Sequence, residues 1–150
     1  MDSIDLKLIT QLYKNSRTCI KELAESVFLS SPATTARIEK LVKRKIIKGF
    51  YADVDFEALG ANCVAIVSFT AQRTLPESFD SFINEHPNIT ECFSVAGEHT
   101  HIMKVAFGTP KKLYDFIGNL NRYGKADVNI IMESVKDKSK TDLEKLMSSM

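Results

Sequence analysis

The chain has 150 residues, 44% of them hydrophobic, with 20 Lys and Arg against 19 Asp and Glu, which fits one domain or two small ones of ordinary globular composition. No stretch approaches the roughly 20 apolar residues of a membrane helix, and the acidic opening Met1–Asp5 has no signal-peptide core, so a cytoplasmic protein with no membrane partner is expected. Cys19, Cys63 and Cys92 are odd in number, far apart and without a C-x-x-C, which predicts reduced thiols and not a disulfide frame.

Asp2 or Ser3 can cap a first helix with Ile4, Leu8, Ile9, Leu12 and Tyr13 on one side, ending near Asn15-Ser16. A second, short helix places Ile20, Leu23, Ala24 and Val27 on one face, and Leu29 in the following turn can plug the gap behind it. Ser31-Pro32 is a helix start: a side-chain oxygen for an orphan N–H, then a residue with no N–H to satisfy. The third helix then carries Thr34, Ile38, Leu41 and Val42 on one face. A helix pair of this kind, with the first helix as a third wall, reads as a helix-turn-helix, in which one helix crosses the DNA backbone and the next lies in the major groove. An αα-hairpin that merely packs has the same pattern, and charge separates the two. Residues 1–50 hold ten Lys and Arg against five Asp and Glu, net +5, whereas residues 51–150 come to −4. A basic first third points to phosphate, although Lys43-Arg44-Lys45 also suits an ordinary solvated helix end. Ile46 to Asp55 alternates like an exposed strand or wing, and Gly60 closes a short turn that reads as a hinge.

A second architecture follows. Cys63 to Thr70 is a strand, Leu75 to Glu85 a helix stopped by His86-Pro87-Asn88, and Ile89 to Ala96 a strand. Gly97 to Thr100 is a turn, His101 to Phe107 a strand, Pro110 the start of a helix that breaks at Gly124, and Val128 to Val135 the last strand. The order β-α-β-β-α-β is that of a ferredoxin-like sandwich, four antiparallel strands with two helices on one face. The predicted fold class is therefore α+β, an N-terminal winged helix-turn-helix joined to a C-terminal ferredoxin-like βαββαβ sandwich. The divisions are 1–48 for DNA binding, 49–61 for wing and hinge, 62–136 for the sandwich, and 137–150 for a polar tail. Thr141, Leu143, Leu146 and Met147 suit a short helix in that tail; a frayed end reads as well. Ile66 with Val67, and Ile130 with Ile131, make strands apolar on both sides, so a second copy of the chain is the expected cover for the open face.

These pieces together resemble the leucine-responsive, Lrp/AsnC (feast/famine) family of transcriptional regulators. The residues that carry the likeness are Asp2-x-x-Asp5-x-x-Leu8, Asn15-Ser16-Arg17, Glu22-Leu23-Ala24, Leu29-Ser30, Arg37-Ile38 through Leu41, Ile46 through Ala52, Leu59-Gly60, Val95-x-Gly97 and Lys104-Val105. They run from about residue 2 to residue 136, in order. The resemblance implies a DNA-binding regulator with an effector-binding, oligomerising second domain, dimers assembling to tetramers or octamers, and an amino acid as effector.

For double-stranded DNA, the candidate contacts are Ser30, Ser31, Pro32, Thr35, Ala36, Arg37 and Lys40, at the start and on the open face of the third helix. Backbone N–H groups at its N-terminus favour phosphate, Arg37 suits bidentate contact with guanine, and Thr35 a base or a thymine methyl. A surface pair with a carboxylate is the plainer role for Arg37, and capping for Ser31. Few strong readers implies modest base specificity aided by DNA shape. For the effector, the resemblance points to Gly97, Glu98, His99, Thr100 and His101, and to Asn129, Ile130 and Ile131 on the last strand. Where the family often shows Gly-Asp-Tyr-Asp, Thr100 replaces the second acid, which leaves Glu98 to supply the charge, or a different ligand, or none. Gly97 equally suits a hairpin, and Ile130 and Ile131 a plain sheet core. His99 and His101 alternate like a metal pair beside Cys92, but no fourth ligand is evident, so neither metal nor cofactor is expected; a pH-sensitive interface or pocket wall is more ordinary. No activated nucleophile, paired loop carboxylates or phosphate loop supports an enzyme. A ligand-independent architectural DNA-binding protein remains the alternative.

Overall fold

The computed structural model describes all residues except 75, 77, 137–140, 142 and 150, together with all side chains of the rest save 144 and 148. The chain divides into two compact units, Met1–Asp53 with Val135–Met150, and Val54–Ser134.

The first unit is helical: α1 Ser3–Lys14, α2 Ile20–Ser26, α3 Ser31–Lys43, and late in the chain α6 Leu143–Ser148, which packs against α1. Asp2 caps α1, its side chain accepting from the Asp5 N–H while the Asp5 carboxylate accepts from the Asp2 N–H. That reciprocal arrangement satisfies two otherwise orphaned donors. The core is Leu8 and Leu12 of α1, Leu23 and Val27 at α2, and Ile38 of α3, with Ile4, Leu29 and Ile47 at its edge. Leu29 plugs the turn as its position predicts. Thr34 and Leu41 are fully or almost fully buried too. Tyr13, Ile20 and Val42 are not in this core: they are 47%, 36% and 42% exposed. The reason is geometric, since neighbours such as Leu12 and Tyr13, or Leu41 and Val42, lie about 100° apart on a helix and only one of each can face a narrow seam.

α3 begins one residue earlier than Ser31-Pro32 suggests. Ser30 is the N-cap, its side chain accepting from the Ala33 N–H, and Ser31 and Pro32 are the first two helical residues. At the other end Lys45, at φ 56°, occupies the left-handed cap position, with its N–H on the Val42 carbonyl and that of Ile46 on the Leu41 carbonyl. The expected wing strand is absent: residues 46–55 form no strand. A strand needs a neighbour for its N–H and C=O groups, and the strands among the described residues pair with one another in the second unit.

That unit has β1 Cys63–Ala71, α4 Ser78–Glu85, β2 Ile89–Ser94, β3 His101–Phe107, α5 Pro110–Leu120 and β4 Gly124–Ile130. The sheet is antiparallel in the order β2-β3-β1-β4, the expected ferredoxin-like topology. The predicted helix start at Leu75 falls at the edge of residues 75 and 77, outside the described residues. Thr109 caps α5 and Pro110 opens it. Cys63, Ala65, Val67 and Phe69 alternate along β1 at 2% exposure or less and face the helices, where Phe79, Leu113, Phe116 and Leu120 meet Met103, Val105 and Phe107. Each such side chain contributes roughly 1.5–3 kcal/mol on full burial. Val64, Ile66, Ser68 and Thr70 lie half-buried on the opposite face, and Phe93 of β2 is 55% exposed.

β4 starts four residues before the predicted Val128 and ends at Ile130. Register explains the shift, because Ala71 pairs with Gly124 and Ala65 with Ile130. Beyond Ile131, whose N–H still reaches the Val64 carbonyl at 2.8 Å, β1 has almost run out and the apolar Met132 and Val135 are left 89% and 92% exposed. Gly124 is a glycine for steric reasons, since a Cβ there would collide with the Thr70 carbonyl oxygen and the Phe69 ring. Helix α5 itself ends earlier, at Leu120.

Candidate nucleic-acid interface and effector turn

The exposed side of α3 gathers the residues singled out for DNA. Ser30, Ser31, Pro32, Ala36 and Lys40 are exposed, and Thr35 is half-buried with its hydroxyl donating to the Ser31 carbonyl at 3.0 Å. The Thr35 hydroxyl proton is thus engaged within the helix. Arg37 is not free. Its Nη1 lies 2.8 Å from Asp2 Oδ2 and 2.8 Å from Asp5 Oδ1, so the cap of α1 also holds α3. The Asp5 N–H, and then the Arg37 guanidinium, hold the Asp2 carboxyl below its ordinary range, and both carboxylates push Arg37 up. Asp2 and Asp5 were legible as part of the family likeness, but their meeting with Arg37 spans more than 30 residues and has no local signal. An open depression of about 460 Å³ lies here, bordered by Met1, Asp2, Asp5, Ala36, Arg37, Lys40 and Arg44. A larger groove, about 740 Å³, runs between the end of α1 and residues 46–53, with the exposed Tyr13, Phe50 and Tyr51 on its walls.

In the second unit the turn between β2 and β3 closes on the end of β1. Thr100 accepts from the Ala71 N–H at 2.9 Å through its hydroxyl, which also donates to the Phe69 carbonyl at 3.1 Å. Its backbone N–H reaches the same carbonyl. The residue standing where the family shows an acid is therefore built into the end of the sheet. With its single proton on Phe69, the hydroxyl accepts from His101 Nδ1 at 2.9 Å. Gly97 and Glu98 are exposed.

His99 and His101 do not share a face. His99 Nδ1 meets the Thr70 hydroxyl at 3.1 Å on the open side of the sheet, whereas His101 packs against Phe69 and Phe79 in the core. The alternation fails because β3 begins only at His101 and residues 97–100 turn. Cys92 pairs opposite Met103 on the core side, and burial pushes its thiol up, the wrong direction for a thiolate ligand. Among the described residues no group of three or more His, Cys, Asp and Glu is placed to hold a metal.

Asn129, Ile130 and Ile131 stand elsewhere. Asn129 pairs with Ile66 and Ile130 with Ala65, whereas Thr100 binds Phe69 and Ala71. The β1 partners of the two sets lie three to six positions apart, roughly 10–20 Å along the strand. Ile130 faces the helix side but is 51% exposed at the sheet edge, not plain core.

A helix-turn-helix in a basic N-terminal unit, followed by a ferredoxin-like unit with a structured turn, is an arrangement suited to a DNA-binding regulator with an appended second domain. Comparison with known proteins is in accord. Residues 1–48 match the winged helix-turn-helix DNA-binding family and residues 64–141 the Lrp/AsnC ligand binding domain. The chain is 32% identical to the HTH-type transcriptional regulator LrpC of Bacillus subtilis, over 93% of this chain and 96% of that one. The solved structure of B. subtilis LrpC superposes with a TM-score of 0.84 over 91% of this chain and 97% of its own. A feast or famine regulatory protein of Mycobacterium tuberculosis, solved with L-methionine, is 25% identical with a TM-score of 0.83, over 91% and 95% of the two chains. The chain belongs to the Lrp/AsnC family of transcriptional regulators. No helix among the described residues is long and apolar enough to cross a membrane.

Proposed function

We propose that this chain is a sequence-preferring transcriptional regulator whose assembly, from dimers into tetramers or octamers, is modulated by an amino acid. The observation that carries this reading is the separation of the two effector sets along β1, Gly97–His101 at one end and Asn129–Ile131 at the other. One small ligand touching both sets takes them from different copies of the chain. Binding is then linked to assembly, because a ligand shared between copies stabilises only the assembled state. Assembly in turn sets how many helix pairs engage DNA at once. The half-apolar open sheet face, with Phe93 exposed, suits a second copy as its cover. On DNA, Ser30, Ser31, Pro32, Thr35, Ala36 and Lys40 make the contacts, and Arg37 positions α3 through Asp2 and Asp5. The L-methionine complex of the M. tuberculosis relative supports an amino acid as the effector class.

Thr100 favours the second reading, an architectural DNA-binding protein that ignores ligands. Its hydroxyl is spent on backbone partners and carries no charge for an ammonium group. The test is thermal unfolding of the purified chain against each standard amino acid, with oligomer size followed in parallel. Ligand at 100 times its dissociation constant adds roughly 2.7 kcal/mol per site, a shift of a few degrees. A shift with one or two amino acids, coupled to a change in size, is expected. A flat panel in both readouts leaves the architectural reading standing.

A further inference from the structure

The turn between α2 and α3 carries a residue that neither the core nor the DNA set above uses. α2 ends with the Phe28 N–H on the Glu25 carbonyl at 3.3 Å and the Leu29 N–H on the Ala24 carbonyl at 3.0 Å. That cap needs a left-handed residue, and Phe28 supplies it at φ 56°. Glycine enters this region freely; an aromatic side chain resists it. The ring gains no packing in return, since Phe28 is 93% exposed while its neighbours Val27 and Leu29 belong to the core. The fold would thus be better served by glycine on both counts. Phe28 also stands two residues before Ser30, the cap of α3, in the half of the chain that is net +5.

We propose that Phe28 is a DNA-contacting residue whose ring meets thymine 5-methyl groups where α3 enters the major groove. The inference rests on the DNA-binding assignment of the helix pair and adds an apolar reader outside α3 to it. The thymine methyl is the apolar group that base pairs present in the major groove, so an exposed ring beside the reading helix discriminates A·T-containing steps without a hydrogen bond. Strain retained at an exposed position is then a cost in stability offset by binding.

The experiment compares the full-length wild type with Phe28→Gly, on an A·T-rich duplex and on the same duplex with uracil for every thymine, alongside thermal unfolding and oligomer size. Phe28→Gly should melt no lower than wild type, and Phe28→Asn, which also tolerates the left-handed region, provides a second folded variant. Affinity for the thymine duplex should fall roughly five- to tenfold in both variants, the wild type should lose at least a similar factor on uracil, and the variants should lose clearly less, only what Thr35 contributes. Variant affinity within about twofold of wild type overturns the proposal, as does an equal uracil penalty in wild type and variants. A changed oligomer size with unchanged affinity overturns it in favour of a contact between copies. A wild type that binds neither duplex removes the DNA-binding assignment itself, which keeps that failure distinct.

Discussion

Arg37 is the residue on which the sequence and the structure weigh differently. Its place on α3 invites a guanine contact, yet its Nη1 is held by Asp2 and Asp5, each at 2.8 Å. The two roles predict opposite effects of Asp5→Asn. If Arg37 positions α3, Asp5→Asn and Arg37→Ala both lower the melting temperature modestly, as partly buried ion pairs near the surface do, and weaken DNA binding together, with little further loss in the double variant. If Arg37 reads a base, Asp5→Asn frees it and affinity holds or rises. The measurement is a double-mutant cycle read by melting and by DNA titration at several salt concentrations. We expect parallel losses; Arg37→Ala that changes neither affinity nor its salt slope removes this residue from the DNA interface altogether. At this scale, side chains placed by helical spacing, such as Leu23, Thr34 and Ile38, were legible in the sequence, as was Leu29 in the turn. Thr100 and Phe28 were not. The role of the first depends on backbone groups of β1 some 30 residues away, and that of the second on the residue at which α2 stops.

Among the elements, order and type were legible and edges were not. Helix spacing and caps located α1, α3 and the start of α5 to within a residue or two, but not the end of α5, which falls at Leu120 well before Gly124. Strand ends are set instead by the partner, which is why β4 follows β1 back to Gly124 and leaves the apolar run after Ile131 unpaired. The 46–55 segment, alternating but without a neighbour, stays irregular for the same reason. Gly124 makes the point testable. It reads as a helix breaker in the sequence, whereas the structure makes it the close approach of β4 to β1. Gly124→Ala should therefore destabilise the second unit by about 1–3 kcal/mol through overpacking, measured by denaturant unfolding. Gly118, inside α5 with open space around its Cβ position, is the control: Gly118→Ala should stabilise by about 0.5–1 kcal/mol. Equal effects at the two sites would contradict the register.

For the whole molecule, two cores with different titratable neighbours imply two responses to acid. His86 sits edge-on to Phe116, with ring centroids 4.8 Å apart, near Phe82 and Phe107. Its Nδ1 accepts from the Asn88 N–H at 3.3 Å, which only the neutral ring with its proton on Nε2 can do. Burial pushes the His86 pKa down from its ordinary 6.5. The unfolded chain then binds the proton more readily than the folded one, so stability is fully present above pH 6.5 and declines as pH falls from there toward the lower folded value. The first unit answers later. Its Asp2 is held below the ordinary 3.8 by the Asp5 N–H and Arg37, so that contribution is present above 3.8 and is lost as pH drops through the still lower folded value. Amide hydrogen exchange followed unit by unit from pH 7 downward separates them once intrinsic exchange rates are corrected. Protection in Val54–Ser134 should decline as pH falls below 6.5 while α1 and α3 hold, and His86→Gln should flatten that first step without moving the second. A simultaneous loss in both units, or a first step that survives His86→Gln, would assign the acid response to another group.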